Sequence, residues 1–490
     1  MNRFGKKILS LLTAAVMTAG LLTGCGAEQD YGKDVITLRW VTFGTAVPDD
    51  LQKIVKKANE YSAEKIGVVV NLEFQPSEML NLIMASGEYY DMIFTSTWAN
   101  VFNNQVAKGM FYDISGIVRD ETPELYDKIG EYWEAAEYEG GLYAVPTLKD
   151  MGSEMMFRLN SDYFEKEKGM TIPESMSFED LEPYLEAYKK DFPHKYPIGM
   201  DKSGFPGYSN LQEPVIGNIL GIPYELDTPK VVPFWENENV IGKFRLLHKW
   251  YELGYISPDV AAMEFSAIDH DSPVRFGVAW RGYLGYSNPA DWGFNVKTSI
   301  YAGPYISKAT EQGAMTAICA GCTEEKARAA LRYLQLLGSD TKFRDILAYG
   351  IEGEHFNYLP NGTILRTQRG SDCYSTSLYQ TGSVVTASVE SVSEDFLNDP
   401  DQWDKVFEGY KEYGIRSKSK GFVYDQSRKE DIIATINAIY LNYSTDLVTG
   451  TSDPDVVIPK MKAEMEAAGL DELLEDIQSE LDKYLAENPD

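Results

Sequence analysis

Residues 35–94 read VITLRWVTFGTAVPDDLQKIVKKANEYSAEKIGVVVNLEFQPSEMLNLIMASGEYYDMIF, and two periods alternate along them. Val35 to Thr42 is rich in β-forming residues and predicts a strand. Leu51, Ile54, Val55, Ala58 and Tyr61 then recur at helical spacing behind Asp49 and Asp50, acids suited to capping that helix. Val68, Val70, Leu72 and Phe74 alternate as a second strand. Met79, Leu80, Leu82 and Ile83 mark a second helix ending near Gly87, and Met92-Ile93-Phe94 is the core of a third strand. Right-handed crossovers make strands in such a β-α-β-α-β run parallel, and ligands of parallel sheets collect beyond the strands' carboxyl ends. Three loops therefore share one rim: Phe43-Gly44-Thr45, Gln75-Pro76-Ser77 and Ser96-Thr97-Trp98. They offer aromatics and hydroxyls, with no cation or thiol.

Working outward, Gly141 to Pro146 is extended, and Met155 to Leu159 continues it beyond Lys149 and Asp150. This reads as a crossing to another lobe. Proline and glycine punctuate residues 193–235, after which Phe244, Leu247 and Tyr251 set out a helix stopped by Gly254. Arg275 to Trp280 is a short strand with Arg281-Gly282-Tyr283 at its exit, a second rim with rings and a guanidinium. Ala314 to Cys319 reads as a buried strand leading into a helix of Ala327, Ala330, Leu331, Leu334 and Leu337, with Thr323 as cap and Gly338 past its end. That return suggests a second pass through the first lobe. Helices centred on Ile432 to Ile439 and on Leu473 to Leu481 close the chain.

At 490 residues the chain is long enough for more than one core, since a domain takes roughly 150 residues. Lys and Arg number 45 against 75 Asp and Glu, a formal charge of −30 that repels polyanions, so nucleic acid is not an expected partner. Arg3, Lys6 and Lys7 precede an uncharged run from Ile8 to Leu22, shorter than the ~20 residues a spanning helix needs. This is the pattern of a cleaved secretion signal. The tetrapeptide Leu22-Thr23-Gly24-Cys25 resembles a bacterial lipobox, which implies that Cys25 becomes a lipidated N-terminus. Acyl chains would then hold the protein to a membrane face, each buried methylene contributing ~0.8 kcal/mol. Cys319, Cys322 and Cys373 are too few to staple the exported chain. Cys319 and Cys322 have the spacing of a redox pair, but in a buried strand cysteines pack as weak hydrophobes; a bridge between them stays open.

Further stretches resemble one family. They are Ala85-Ser86-Gly87-Glu88-Tyr89-Tyr90-Asp91-Met92-Ile93-Phe94, Val106-Ala107-Lys108-Gly109, Leu142-Tyr143-Ala144-Val145-Pro146, Tyr349-Gly350-Ile351-Glu352-Gly353-Glu354-His355-Phe356, and Asp453-Pro454-Asp455-Val456-Val457-Ile458-Pro459-Lys460 with Ala468-Gly469-Leu470. In this order they resemble the family 1 extracellular solute-binding lipoproteins of bacterial ABC importers, in the carbohydrate-linked branch with a C-terminal DUF3502-type domain. The resemblance implies an α/β, two-lobed periplasmic-binding-protein-like fold (type II), with a ligand cleft between lobes joined by hinge strands. The expected division is a signal peptide at 1–24, a lipidated tether at 25–33, lobe 1 at 34–145 and 307–375, and lobe 2 at 146–306 and 376–490.

The expected function is capture of a sugar or oligosaccharide for a membrane permease. A peptide or other small cargo is one alternative, and a lipid-anchored glycoside-cleaving enzyme is another. Sugar rings lie their C–H faces on aromatic planes and need donors and acceptors for their hydroxyls. The candidate ligand contacts are therefore Trp40, Phe43, Ser96 and Trp98 from the first lobe, Lys149 from the crossing, and Trp280, Arg281, Tyr283 and Tyr286 from the second lobe. Glu352 and His355 join them from the stretch most like the family signature, where Glu352 and Glu354 also raise acid and base chemistry as the weaker reading. No cofactor or metal is expected, because His194, His248, His270 and His355 lie in unlike contexts. The expected partners are an oligosaccharide, the permease subunits and a membrane reached through the lipid. The expected protein is a monomer anchored on the outer face of the cytoplasmic membrane, with a Gram-positive surface favoured.

Overall fold

Along the chain run strands β1 (Ile36–Phe43), β2 (Val68–Gln75), β3 (Met92–Thr95), β4 (Ala144–Pro146), β5 (Ser153–Asn160), β6 (Val274–Ala279), β7 (Val296–Ile306), β8 (Met315–Ile318) and β9 (Ile415–Arg416). The principal helices are α1 (Leu51–Ile66), α2 (Ser77–Ser86), α3 (Glu238–Glu252), α4 (Glu324–Ser339), α5 (Thr341–Tyr349), α6 (Gln402–Tyr413), α7 (Glu430–Thr449), α8 (Pro454–Ala467) and α9 (Leu470–Glu487). The structure is a computed structural model that describes residues 31–205, 208–264, 271–279, 293–391, 393 and 397–489. Cys25 lies outside the described residues. Among those described, no helix is long and apolar enough to cross a membrane.

The first sheet has five strands in the order β2-β1-β3-β8-β4. β1 pairs in parallel with β2, from Ile36 opposite Val68 to Phe43 opposite Gln75, and in parallel with β3 at Trp40 opposite Met92. Side chains alternate across a strand, and here the two faces feed two cores. Leu38, Trp40, Met92, Val145 and Ile318 pack on one side with α1 and α4, while Val41, Ile93, Phe94, Ala144 and Met315 pack on the other with α2. Fully burying each large apolar side chain contributes roughly 1.5–3 kcal/mol. This double cover explains why β3 reads as an unbroken apolar run rather than an alternation.

The second sheet has the order β6-β5-β7-β9, with β5 antiparallel to both β6 and β7. Its core joins Met155, Phe157 and Leu159 of β5 to Trp250 of α3 and to Ile436, Met461 and Leu473 of α7, α8 and α9. The C-terminal helices thus cover the second lobe.

Residues 376–410, expected in lobe 2, pack instead with the first core through Val384, Val389, Trp403, Val406 and Tyr410, and the second core resumes at Tyr424. Nothing local marks this change of side, because the residues around 376 carry no periodic pattern. Two further details differ from expectation. Gly338 lies inside the last turn of α4, where a Cβ would come within 2.5 Å of the Leu125 side chain, so glycine permits that close approach. Asp50 occupies the cap position of α1 without a side-chain cap bond; its carboxylate turns to other partners described below.

Candidate functional site

Strand direction builds one edge. β8 is antiparallel to β3 and to β4, so β4 runs with β3 and ends on the same edge as β1, β2 and β3, where β8 begins. Backbone bonds close the seam: Thr97 N–H donates to Gln312 C=O at 3.2 Å, and Thr147 N–H to Ala314 C=O at 3.0 Å. The chain leaves for the second lobe through residues 147–152 and returns through 307–314, both on this edge. The edge therefore faces the other lobe.

Trp98 is the most open aromatic there, 48 % exposed. Its ring stands edge-on to Phe43 at 4.8 Å and packs against Phe94 at 5.6 Å, and its indole Nε1–H donates to the Gly313 carbonyl at 2.9 Å. With the polar edge tied back and the ring braced beneath, one aromatic face stays available. Phe94 continues to Tyr379 at 6.4 Å between ring centres, and the Lys149 ammonium lies 5.5 Å over the Tyr379 ring. Lys149 Nζ pairs with both oxygens of Asp150, at 3.0 and 3.2 Å. A Cβ on Gly313 would fall 3.1 Å from Lys149 Nζ. Trp98, Gly313, Lys149, Tyr379 and Phe94 thus make a closed circuit of contacts that forms one wall. Burial raises the Asp150 carboxyl's pKa, and the Lys149 charge pulls part of that rise back.

Sequence reasoning missed Tyr379 and Asp150. Tyr379 comes from a loop held by Arg344 of α5, which is fully buried and donates from Nε to Ser383 C=O at 2.9 Å and from Nη2 to Leu378 C=O at 2.6 Å. The loop is sewn to the crossing where Leu148 N–H donates to Ser383 Oγ at 3.1 Å and Val384 N–H to Leu148 C=O at 2.8 Å. No local periodicity links residue 379 to β3. Asp150 had a signal, its place beside Lys149.

The predicted residues divide. Phe43, Trp98 and Lys149 belong to the wall. Trp40 does not: it is fully buried between β1 and α4, edge-on to Tyr333 at 6.1 Å, because its place in the alternation points it away from the rim's aromatic side. Ser96 is also fully buried, its Oγ accepting from Trp98 N–H at 3.1 Å and Ala99 N–H at 2.8 Å; it shapes the turn that presents Trp98. Trp280, Arg281, Tyr283 and Tyr286 lie outside the described residues.

Glu352 and His355 belong to a different corner, against the start of α1. His355 is fully buried; its Nδ1 accepts from Ile351 N–H at 3.1 Å, which leaves Nε2–H to donate to Asp50 Oδ2 at 3.0 Å. Arg369 holds the same carboxylate at 2.6 Å and Glu354 at 3.0 Å, and Lys53 also pairs with Glu354. The hydrogen bond from His355 and the Arg369 cation hold the Asp50 pKa below its usual range, and Lys53 chiefly does the same for Glu354. Asp50, Glu354 and His355 bring ligand-type atoms within 4.8 Å of one another, but two cations already occupy those carboxylates. Glu352 is exposed on the turn that Gly350 and Gly353 shape with positive φ. With Glu354 ion-paired to Lys53 and Arg369 and both His355 ring nitrogens bonded within the chain, these groups hold the start of α1 against the turn that carries Glu352. The Cys319 and Cys322 thiols are both pushed up to about 12, first by burial, which makes them poor nucleophiles.

Residues 418–486, which span α7, α8 and most of α9, match DUF3502, a domain of unknown function. The whole chain is 26% identical over 505 aligned residues to a carbohydrate ABC transporter substrate-binding protein of Streptococcus pneumoniae, covering 98% of each. By these likenesses the chain resembles the family 1 extracellular solute-binding proteins. Its fold is the two-lobed one of such proteins. The N-glycan transport solute binding protein NgtS of S. pneumoniae superposes with a TM-score of 0.80 at 23% identity, over 93% of this chain and 100% of that one. NgtS in complex with Man1GlcNAc gives 0.69 at 22% identity over 92% and 99%, and with Man5GlcNAc 0.64 at 23% over 93% and 99%. Lipoprotein LipO of Bacillus subtilis is 24% identical over 56% of this chain and 55% of its own.

Proposed function

We propose that this protein captures a sugar or oligosaccharide between its lobes, outside the cytoplasmic membrane, and delivers it unaltered to an ABC permease. The observation that carries the reading is the braced, half-open Trp98 face on the edge from which the chain crosses to the second lobe. A C–H-rich ring can lie on that face while its hydroxyls meet Tyr379 and the Lys149 and Asp150 pair. The names of relatives that handle N-glycans and carbohydrates agree with it.

The lobes we propose are 34–151 with 307–410, and 152–306 with 424–487, joined by three crossings. Trp280, Arg281, Tyr283 and Tyr286 remain our candidates for the facing wall. Ligand closes the jaws by touching both walls at once. Moving the equilibrium from 1:99 to 99:1 closed takes about 5.5 kcal/mol of differential affinity, within reach of a few stacked rings and hydrogen bonds. Lipidation of Cys25, a monomeric state and a Gram-positive surface complete the proposal.

The test is a glycan panel against the chain lacking residues 1–25. Saccharide-dependent thermal stabilisation with the oligosaccharide recovered intact supports a receptor. Released reducing ends would establish an enzyme instead, and stabilisation by peptides alone would change the cargo.

A further inference from the structure

The charge of the Trp98 wall bears on which saccharides it admits. Lys149 is its cation among the described residues, and the side chain is 12% exposed against 7% for Asp150. Neither partner can swing away into water, and their mutual bonds at 3.0 and 3.2 Å make the pair neutral as a unit. A second carboxyl, Glu154, is fully buried near the start of β5, and Tyr410 senses both it and Asp150. The indole N–H of Trp98 is already taken by Gly313. Around all of this the chain carries a formal charge of −30.

A sugar hydroxyl suits these surroundings. It can donate to a lone pair of Asp150 and accept in its turn, with no charge to desolvate. A uronate or sulfate cannot donate to Asp150, and meets an ammonium whose charge that residue has cancelled. Bringing an anion against this wall removes its water without a counter-charge from the wall itself, whatever Arg281 supplies from the opposite side, which is costly. We infer that the Lys149 and Asp150 pair makes this site selective for uncharged saccharides over carboxylated or sulfated ones. The inference rests on the receptor reading above and narrows its ligand class.

The experiment compares pentamers of mannose, glucose and galactose with their counterparts oxidised at C6 to uronates, by calorimetry on the full chain. Each pair differs only in a CH₂OH against a COO⁻. The expected result is that a neutral pentamer binds and its uronate binds at least tenfold more weakly, at low salt and again at 0.5 M salt. Salt screens the distant field of the acidic surface but not a partly buried pair. In Asp150→Asn the Lys149 charge is uncancelled, and the neutral-to-uronate ratio should fall by about tenfold; Lys149→Met, which leaves an uncompensated carboxylate, should raise it. A uronate that binds wild type as tightly as its neutral partner overturns the inference and leaves the receptor reading standing. A preference that vanishes in high salt, or a ratio unmoved in both variants, overturns the role of the pair. Binding of none of the six pentamers would count against the receptor reading and, with it, this inference.

Discussion

The Trp98 wall and the His355 corner are made of similar materials and do opposite things. Both join an aromatic or imidazole ring to a cation and a carboxylate, and both lie where loops leave the first sheet. At the corner the buried polar groups meet other parts of the chain: imidazole to Asp50 and Ile351, guanidinium to two carboxylates. At the wall the polar edges are tied back while a ring face is left half open. A corner with all its bonds made holds the fold together, whereas a surface with an unmatched apolar face is stable alone and gains by binding.

The largest effect should come from breaking the corner. His355→Ala removes a fully buried ring and both of its hydrogen bonds, and should cost about 2–3 kcal/mol of stability. Urea unfolding measures it, with saccharide affinity unchanged; a variant as stable as wild type would end the structural assignment. Next in size, Trp98→Ala should weaken saccharide binding by about 1–1.5 kcal/mol, roughly tenfold, with a nearly constant unfolding midpoint, since half of the ring is already in water. Equal calorimetric affinities for variant and wild type would remove Trp98 from the site. Glu352→Gln is the matched control and should change neither quantity.

The smallest effect sharpens the comparison through pH. Asp50 has a depressed pKa in the folded state, from the His355 hydrogen bond first and Arg369 next. A group depressed on folding adds stability above its unfolded pKa, near 3.9, and loses it as pH falls through the folded value. Melting temperature followed from pH 6 to pH 3 should therefore fall more steeply in wild type than in Asp50→Asn. Parallel curves would show that the corner does not sense acid.

Much of the first sheet was legible because strands and helices announce themselves within a few residues. The alternation in Val68 to Phe74 and the helical spacing from Leu51 to Tyr61 became β2 and α1, and Gly87 ends α2 in the left-handed conformation. Parallel direction then put Phe43 and Trp98 on one rim. The same reasoning failed for Trp40, whose type suits a sugar but whose face in the strand belongs to the core. It failed for His355 because a histidine in a signature-like turn looks the same whether its ring meets a ligand or an aspartate 305 residues away.

From its own residues the chain determined an α/β architecture, a rim where parallel strands end and an acidic composition, since each depends on local periodicity or on composition. The tertiary structure alone decided that Tyr379 joins Phe94 and Lys149 in one wall, that residues 376–410 return to the first core, and that Asp50 serves His355 rather than α1. Those outcomes turn on which distant groups compete for the same polar atom or the same apolar face, and such competition is settled only when the whole chain has packed.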